Sequence, residues 1–110
     1  MAFTPYHNID GSNGVDVELI APNENVGAIR SIMITNTHAT ADATVSLFIQ
    51  DDPTAAVAST FYIISTIAIP SDTSLLLDNS TVLSFDNSSD GYGLYLTVGS
   101  SDTLDVMINI

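Results

Sequence analysis

The chain of 110 residues carries thirteen Asp and Glu against a single Arg and no Lys, a formal net charge of -12 at pH 7. That balance excludes recognition of a nucleic-acid backbone, which needs several Lys or Arg groups to replace condensed counterions, and it disfavours anionic membranes for the same reason. Cysteine is absent, which removes disulfides and thiolate metal sites. No run approaches the ~18 apolar residues of a membrane helix, and the opening segment lacks the basic and apolar regions of a secretory leader. The expectation is a soluble single domain, long enough to bury roughly two-thirds of its unfolded surface. Because charged residues make up only 13% of the chain, Ser, Thr, Asn and Asp must cover most of its surface. The acidic excess reads either as a solubilising coat or as a docking face for a basic partner.

Taken in order, residues 1–14 predict an irregular N-terminal arm. Pro5 and the turn formers Asn8, Asp10, Gly11, Ser12, Asn13 and Gly14 discourage regular structure, and Phe3, Tyr6 and Ile9 are candidates to anchor the arm to a neighbouring surface. The sandwich domain then spans 15–110. Residues 15–20 alternate as a strand with one wet face. Pro22 to Asn25 turns the chain, and 28–36 predict a strand with Arg30, Ile32 and Ile34 on one face and Ile29, Ser31, Met33 and Thr35 on the other. His38 falls in a loop. Thr44 to Gln50 predicts a strand with Val45, Leu47 and Ile49 inward, which Asp51, Asp52 and Pro53 stop. Residues 54–59 read as a loop or short turn.

The stretch Thr60 to Asp78 is apolar or small on both faces over most of its length, so it predicts a segment covered on both sides. Pro70 to Thr73 supply turn residues, and Ser74 to Leu77 predict a strand folding back on the first, a central hairpin. Val82 to Phe85 predicts a short strand. Tyr92, Leu94, Leu96 and Val98 alternate with Gly93, Tyr95 and Thr97, residues 99–102 carry a four-residue hairpin signal, and Leu104, Val106, Ile108 and Ile110 form the last inward row, with Asp105, Met107 and Asn109 outward. About eight strands at intervals of about 8 to 12 residues predict an all-β, two-sheet antiparallel β-sandwich, of jelly-roll or immunoglobulin-like type.

Asp86, Ser88 and Asp90 place oxygen atoms at alternate positions ahead of Gly91, a spacing by which a tight loop wraps calcium. The twelfth position, where a helix-loop-helix site needs a bidentate Glu, holds Thr97 within a predicted strand. An ordinary polar turn is the plainer reading, and a calcium site completed by distant oxygens the sharper one. Asp10, Ser12 and Asp16 form a looser second cluster. His7 and His38 are far apart in sequence with no other His or Cys, which argues against zinc. Nothing resembles a nucleophile elbow, so no catalysis is expected. Tyr92 and Tyr95 fall on opposite faces of one strand and make no joint sugar platform. Arg30, the sole guanidinium, reads either as the partner of a carboxylate or as a rim contact to a neighbour.

The succession SIMITNT (31–37), ATVSLFI (43–49), FYIISTIAIP (61–70), SLLLD (74–78), VLSFDN (82–87) and YGLYLTV (92–98) resembles a group of small all-β virion proteins of tailed bacteriophages, especially phages of marine cyanobacteria. The resemblance implies a virion structural protein, foremost a capsid decoration protein. It would be a dimer or trimer of itself that contacts other virion proteins such as the major capsid protein. A neck, tail or fibre component is the alternative place in the virion. A monomeric, calcium-assisted glycan-binding module is the alternative of another class. No functional residues carry over from the resemblance, which lies in strand pattern.

Overall fold

A computed structural model describes residues 4–11, 16–51, 59–88, 91–99 and 101–110. Eight strands and one helical turn follow in the order β1 (Tyr6–Asp10), β2 (Asp16–Ile20), β3 (Ser31–Asn36), β4 (Ala43–Gln50), β5 (Thr60–Ile69), β6 (Ser74–Leu77), α1 (Ser80–Leu83), β7 (Gly93–Val98) and β8 (Thr103–Asn109). They form two antiparallel four-stranded sheets, β1-β8-β3-β6 and β2-β7-β4-β5. Strand β1 pairs with β8, β2 with β7, β3 with β6 and β4 with β5. The chain is thus one long hairpin, folded at the β4–β5 connection and wound so that its successive pairs alternate between sheets. That is jelly-roll topology, and it decides against the immunoglobulin-like alternative.

Alternation along the strands fills the space between the sheets. Ile32 and Ile34 of β3, Leu104 and Val106 of β8, Val45 and Leu47 of β4, and Leu94 and Leu96 of β7 are all buried, each pair two residues apart on one side of its strand. The radius of gyration of 13.4 Å matches the ~13 Å of a compact chain this long.

Several expectations are corrected. Tyr6–Asp10, expected within an irregular arm, is a strand in register with β8, and Ile9 lies in the core opposite Leu104 rather than reaching for a neighbour. Phe3 lies outside the described residues. The apolar run 60–69 is an edge strand, paired only with β4, and β6 belongs to the other sheet, so 60–78 is not a hairpin. The turn at Pro70 to Thr73 instead carries the chain across the sandwich, with Asp72 at φ +53° and its amide donating to the His38 carbonyl. Strands β7 and β8, expected to form a hairpin, likewise belong to different sheets. Where a strand was expected at 82–85, Ser80–Leu83 is a helical turn, because the Asn79 side chain accepts from the Thr81 amide and caps it. Ile110 ends exposed rather than in the inward row.

Candidate functional site

The outward faces of the two sheets differ in how they dispose of their apolar side chains. On the sheet β2-β7-β4-β5 the register sets Glu18, Tyr95, Phe48 and Tyr62 in one row. Phe48 stacks on Tyr95 at 5.9 Å between ring centroids and meets Tyr62 at 5.2 Å. The Tyr95 hydroxyl donates to Glu18 Oε2 at 3.2 Å. Phe48 and Tyr95 are only 4% exposed although they point away from the core. A Cβ at Gly93 would meet the Tyr95 hydroxyl, so the glycine leaves room for that ring. Phe48 and Tyr95 are thus covered within this face, while Tyr62 and its neighbour Phe61 on the edge strand stay 59% and 56% exposed.

The outward face of β1-β8-β3-β6 exposes apolar side chains on its inner strand β8 as well as on its edges. There the register aligns Tyr6 with Met107, Met107 with Met33, and Met33 with Leu76, an apolar row across all four strands. Tyr6 is 68% exposed, Leu76 55% and Met107 40%, with Met33 half-buried between them. The next row is polar and internally satisfied. Asn8 Nδ2 donates to Asp105 Oδ1 at 2.8 Å, and the Thr35 and Ser74 hydroxyls lie 2.8 Å apart. Beyond it Thr37 Oγ1 donates to Thr103. A shallow groove of about 250 Å³ runs beside the row between Tyr6, His7, Asn8, Thr35, Asp105 and Met107.

Of the arm's anchor candidates that lie among the described residues, Tyr6 is the one on an open surface, since Ile9 is buried. Met107 was expected to face outward and Met33 to lie opposite Ile32 and Ile34, and the register makes the two methionines neighbours. Leu76 was not singled out: it stood in a run of three leucines whose parity had no anchor until β6 was paired.

Arg30 is exposed at the start of β3, with its amide bonded to Asn109, and among the described residues it forms no ion pair. Of its two readings, the internal carboxylate partner is not met. The histidines are engaged locally. His7 Nε2 lies 3.0 Å from the Thr4 carbonyl, and His38 Nδ1 accepts from the Thr40 and Ala41 amides.

In the candidate calcium loop, Asp86 Oδ1 accepts from the Ser88 amide at 3.0 Å, and the Asp86 carbonyl accepts from Tyr92. Hydrogen bonds from the Ser88 side chain and amide hold the Asp86 carboxyl below its usual 3.8, against a smaller opposing effect of burial. Asp90 lies outside the described residues. Among those described, no three His, Asp or Glu side chains gather as a metal site would require. The loop's inward residue is Asn87, whose amide donates to the Ala21 and Tyr92 carbonyls and whose oxygen accepts from Val26. It ties the loop to the 21–26 turn, a role that the pattern of alternating oxygens does not announce. In the second cluster, Asp10 and Asp16 end up on strands of different sheets, and Ser12 is outside the described residues.

Compared with known proteins, the chain matches no family model and no curated sequence.

Proposed function

We propose that this protein is a non-catalytic virion structural protein, a homo-oligomer that decorates a capsid surface and associates through the outward face of β1-β8-β3-β6. The exposed row Tyr6–Met107–Met33–Leu76 carries the reading. Isolated exposed apolar residues are ordinary, but a row spanning a sheet marks a surface that a partner covers. The fold does not choose the function, since jelly rolls serve as capsid and lectin domains alike. The strand pattern's resemblance to phage virion proteins supplies the virion context, with neck, tail or fibre as the other places such a module serves.

The magnitude is informative. Between two-fifths and two-thirds of Tyr6, Leu76 and Met107 is in water, and less of Met33, so covering the four contributes roughly 4 kcal/mol per copy. For a two-fold pair that is roughly 8 kcal/mol, against an association cost of about 4 to 15 kcal/mol. Free copies then associate weakly, and a particle that holds many copies close together strengthens the contact through effective concentration.

The test is the native mass of the purified protein at rising concentration, with calcium and again after chelation. The expected result is a discrete dimer or trimer, indifferent to chelation, that Met107→Asp returns to monomer without lowering the melting temperature by more than a few degrees. One observation favours the glycan-binding alternative: exposed Phe61 meets Tyr92 edge-on at 5.8 Å, beside the 86–91 loop. A monomer at all concentrations that takes up calcium and releases it on chelation would support that module and sink the assembly reading.

A further inference from the structure

Edge strand β5 and the end of edge strand β6 border a second apolar surface, completed by α1. Ile63, Leu76, Leu77, Val82 and Leu83 line a groove of about 240 Å³ together with Asp78 and Asn79. The capped turn of α1 builds one wall: Leu83 is fully buried, while its neighbour Val82 stays exposed. The groove exceeds the ~150 Å³ cavity that admits a benzene molecule, so an aromatic or branched aliphatic side chain fits it. We infer that this groove receives an apolar side chain flanked by Lys or Arg from a different protein.

Charge selects the occupant. Asp78 of the groove is exposed, and the loops at this end of the sandwich also carry Glu24, Asp51 and Asp86. Against a net charge of -12, an anionic partner is repelled and a cationic one is drawn in. A second copy does not meet the requirement. Its only strongly basic side chain, Arg30, lies by the end of β8 next to exposed Ile110, but a second copy brings the same net charge of -12 and is repelled. The occupant is therefore a basic, apolar segment of another protein.

This deepens the assembly reading by naming the chemistry of a heterologous partner, but it does not depend on self-association. Leu76 belongs to both surfaces, so the test avoids it. Full-length protein with labelled Ile, Leu and Val methyl groups is titrated with three capped hexapeptides, of alternating Lys and Leu, Glu and Leu, and Lys and Ser. Oligomer mass is followed in the same samples. The expected result is saturable movement of the Ile63, Val82 and Leu83 methyl signals with the Lys–Leu peptide, and binding about tenfold weaker with the Glu–Leu peptide. The Lys–Ser peptide should leave those signals in place. Asp78→Asn should weaken the Lys–Leu peptide by about two- to fivefold, as loss of one exposed charge pair does. Val82→Glu, at an exposed position, should abolish the methyl response. Equal binding of the Glu–Leu peptide, an equal response to the Lys–Ser peptide, or no groove signal moving at millimolar peptide would each overturn the inference, whatever the oligomer mass shows.

Discussion

Asn36, Asn87 and Asp102 are the buried polar residues among those described, and each stitches loops to strands. Asn36 donates to the Ala41 and Ile69 carbonyls and accepts from the His38 amide. Asp102 Oδ2 accepts from the Thr44 and Gly99 amides, closing the turn that carries β7 across to β8. Removing such a side chain leaves several backbone groups without partners, each at about 1 to 3 kcal/mol. Asn87→Ala should therefore lower unfolding free energy by about 3 kcal/mol or more in urea titrations, while Thr73→Ala, whose side-chain bond is local and exposed, should cost under about 0.5 kcal/mol. Gly11 is buried where a Cβ would overlap the Gly99 carbonyl, so Gly11→Ala must push two turns apart. Asp86 makes a prediction in acid. Its folded pKa is depressed, so its contribution is fully present above the unfolded value and is lost as pH falls through the folded one, below 3.8. An NMR titration should find its midpoint below that of an unstructured Asp, and Ser88→Ala should move it back upward.

At the level of elements, β5 shows how this protein treats an exposed strand edge. Its ladder with β4 slips between Val45 and Leu47 and again before Phe48, and Thr66 sits at φ +54° with its amide donating to Ser46 Oγ at 2.8 Å. A left-handed, β-branched residue is an outlier, and the bulge it makes breaks the row of groups that would template another strand. Thr66→Gly should relieve the conformation and raise stability by about 0.5 to 1 kcal/mol, read as a higher urea midpoint. Thr66→Val, which cannot relax, should lower it. The four-residue α1 depends on its cap. Asn79→Ala removes the acceptor for the Thr81 amide and should cost about 1 kcal/mol. It should also loosen the wall of the groove that Val82 forms.

For the whole molecule, repulsion among its own carboxylates is the force most open to the solvent's control. The sandwich measures 41 × 31 × 23 Å and carries its -12 with Arg30 as the only strongly basic side chain to offset it. At about 10 mM salt the Debye length of about 30 Å spans the molecule, so its charges act on one another. At about 0.15 M it is about 8 Å, shorter than any dimension of the fold, and most of the repulsion is screened. The melting temperature should rise by several degrees between these conditions and change little beyond about 0.5 M. Indifference to salt over that range would mean that the charges are already neutralised by bound cations, which calcium binding after exhaustive dialysis would reveal.

Strand parity and the all-β class were legible in the sequence because alternation is a local consequence of the pleat: Leu94 and Leu96, or Val106 and Ile108, declare a buried face without reference to any partner. The count of eight agrees only because β1, expected as an arm, replaces the strand expected at 82–85. Turn chemistry was legible too, but its meaning was not. Pro70 to Thr73 and Gly99 to Asp102 look the same whether a chain doubles back within one sheet or crosses to the other, since the choice is made by pairings tens of residues away. For the same reason β5 was expected at the centre, when its two apolar faces reflect a core on one side and Phe48 under Tyr62 on the other. The candidate surface divided in the same way. That Met107 points outward and Met33 lies opposite Ile32 and Ile34 is a matter of parity along each strand, whereas Tyr6 was expected in an irregular arm, and the row the three form with Leu76 exists only because long-range register sets β1, β8, β3 and β6 side by side.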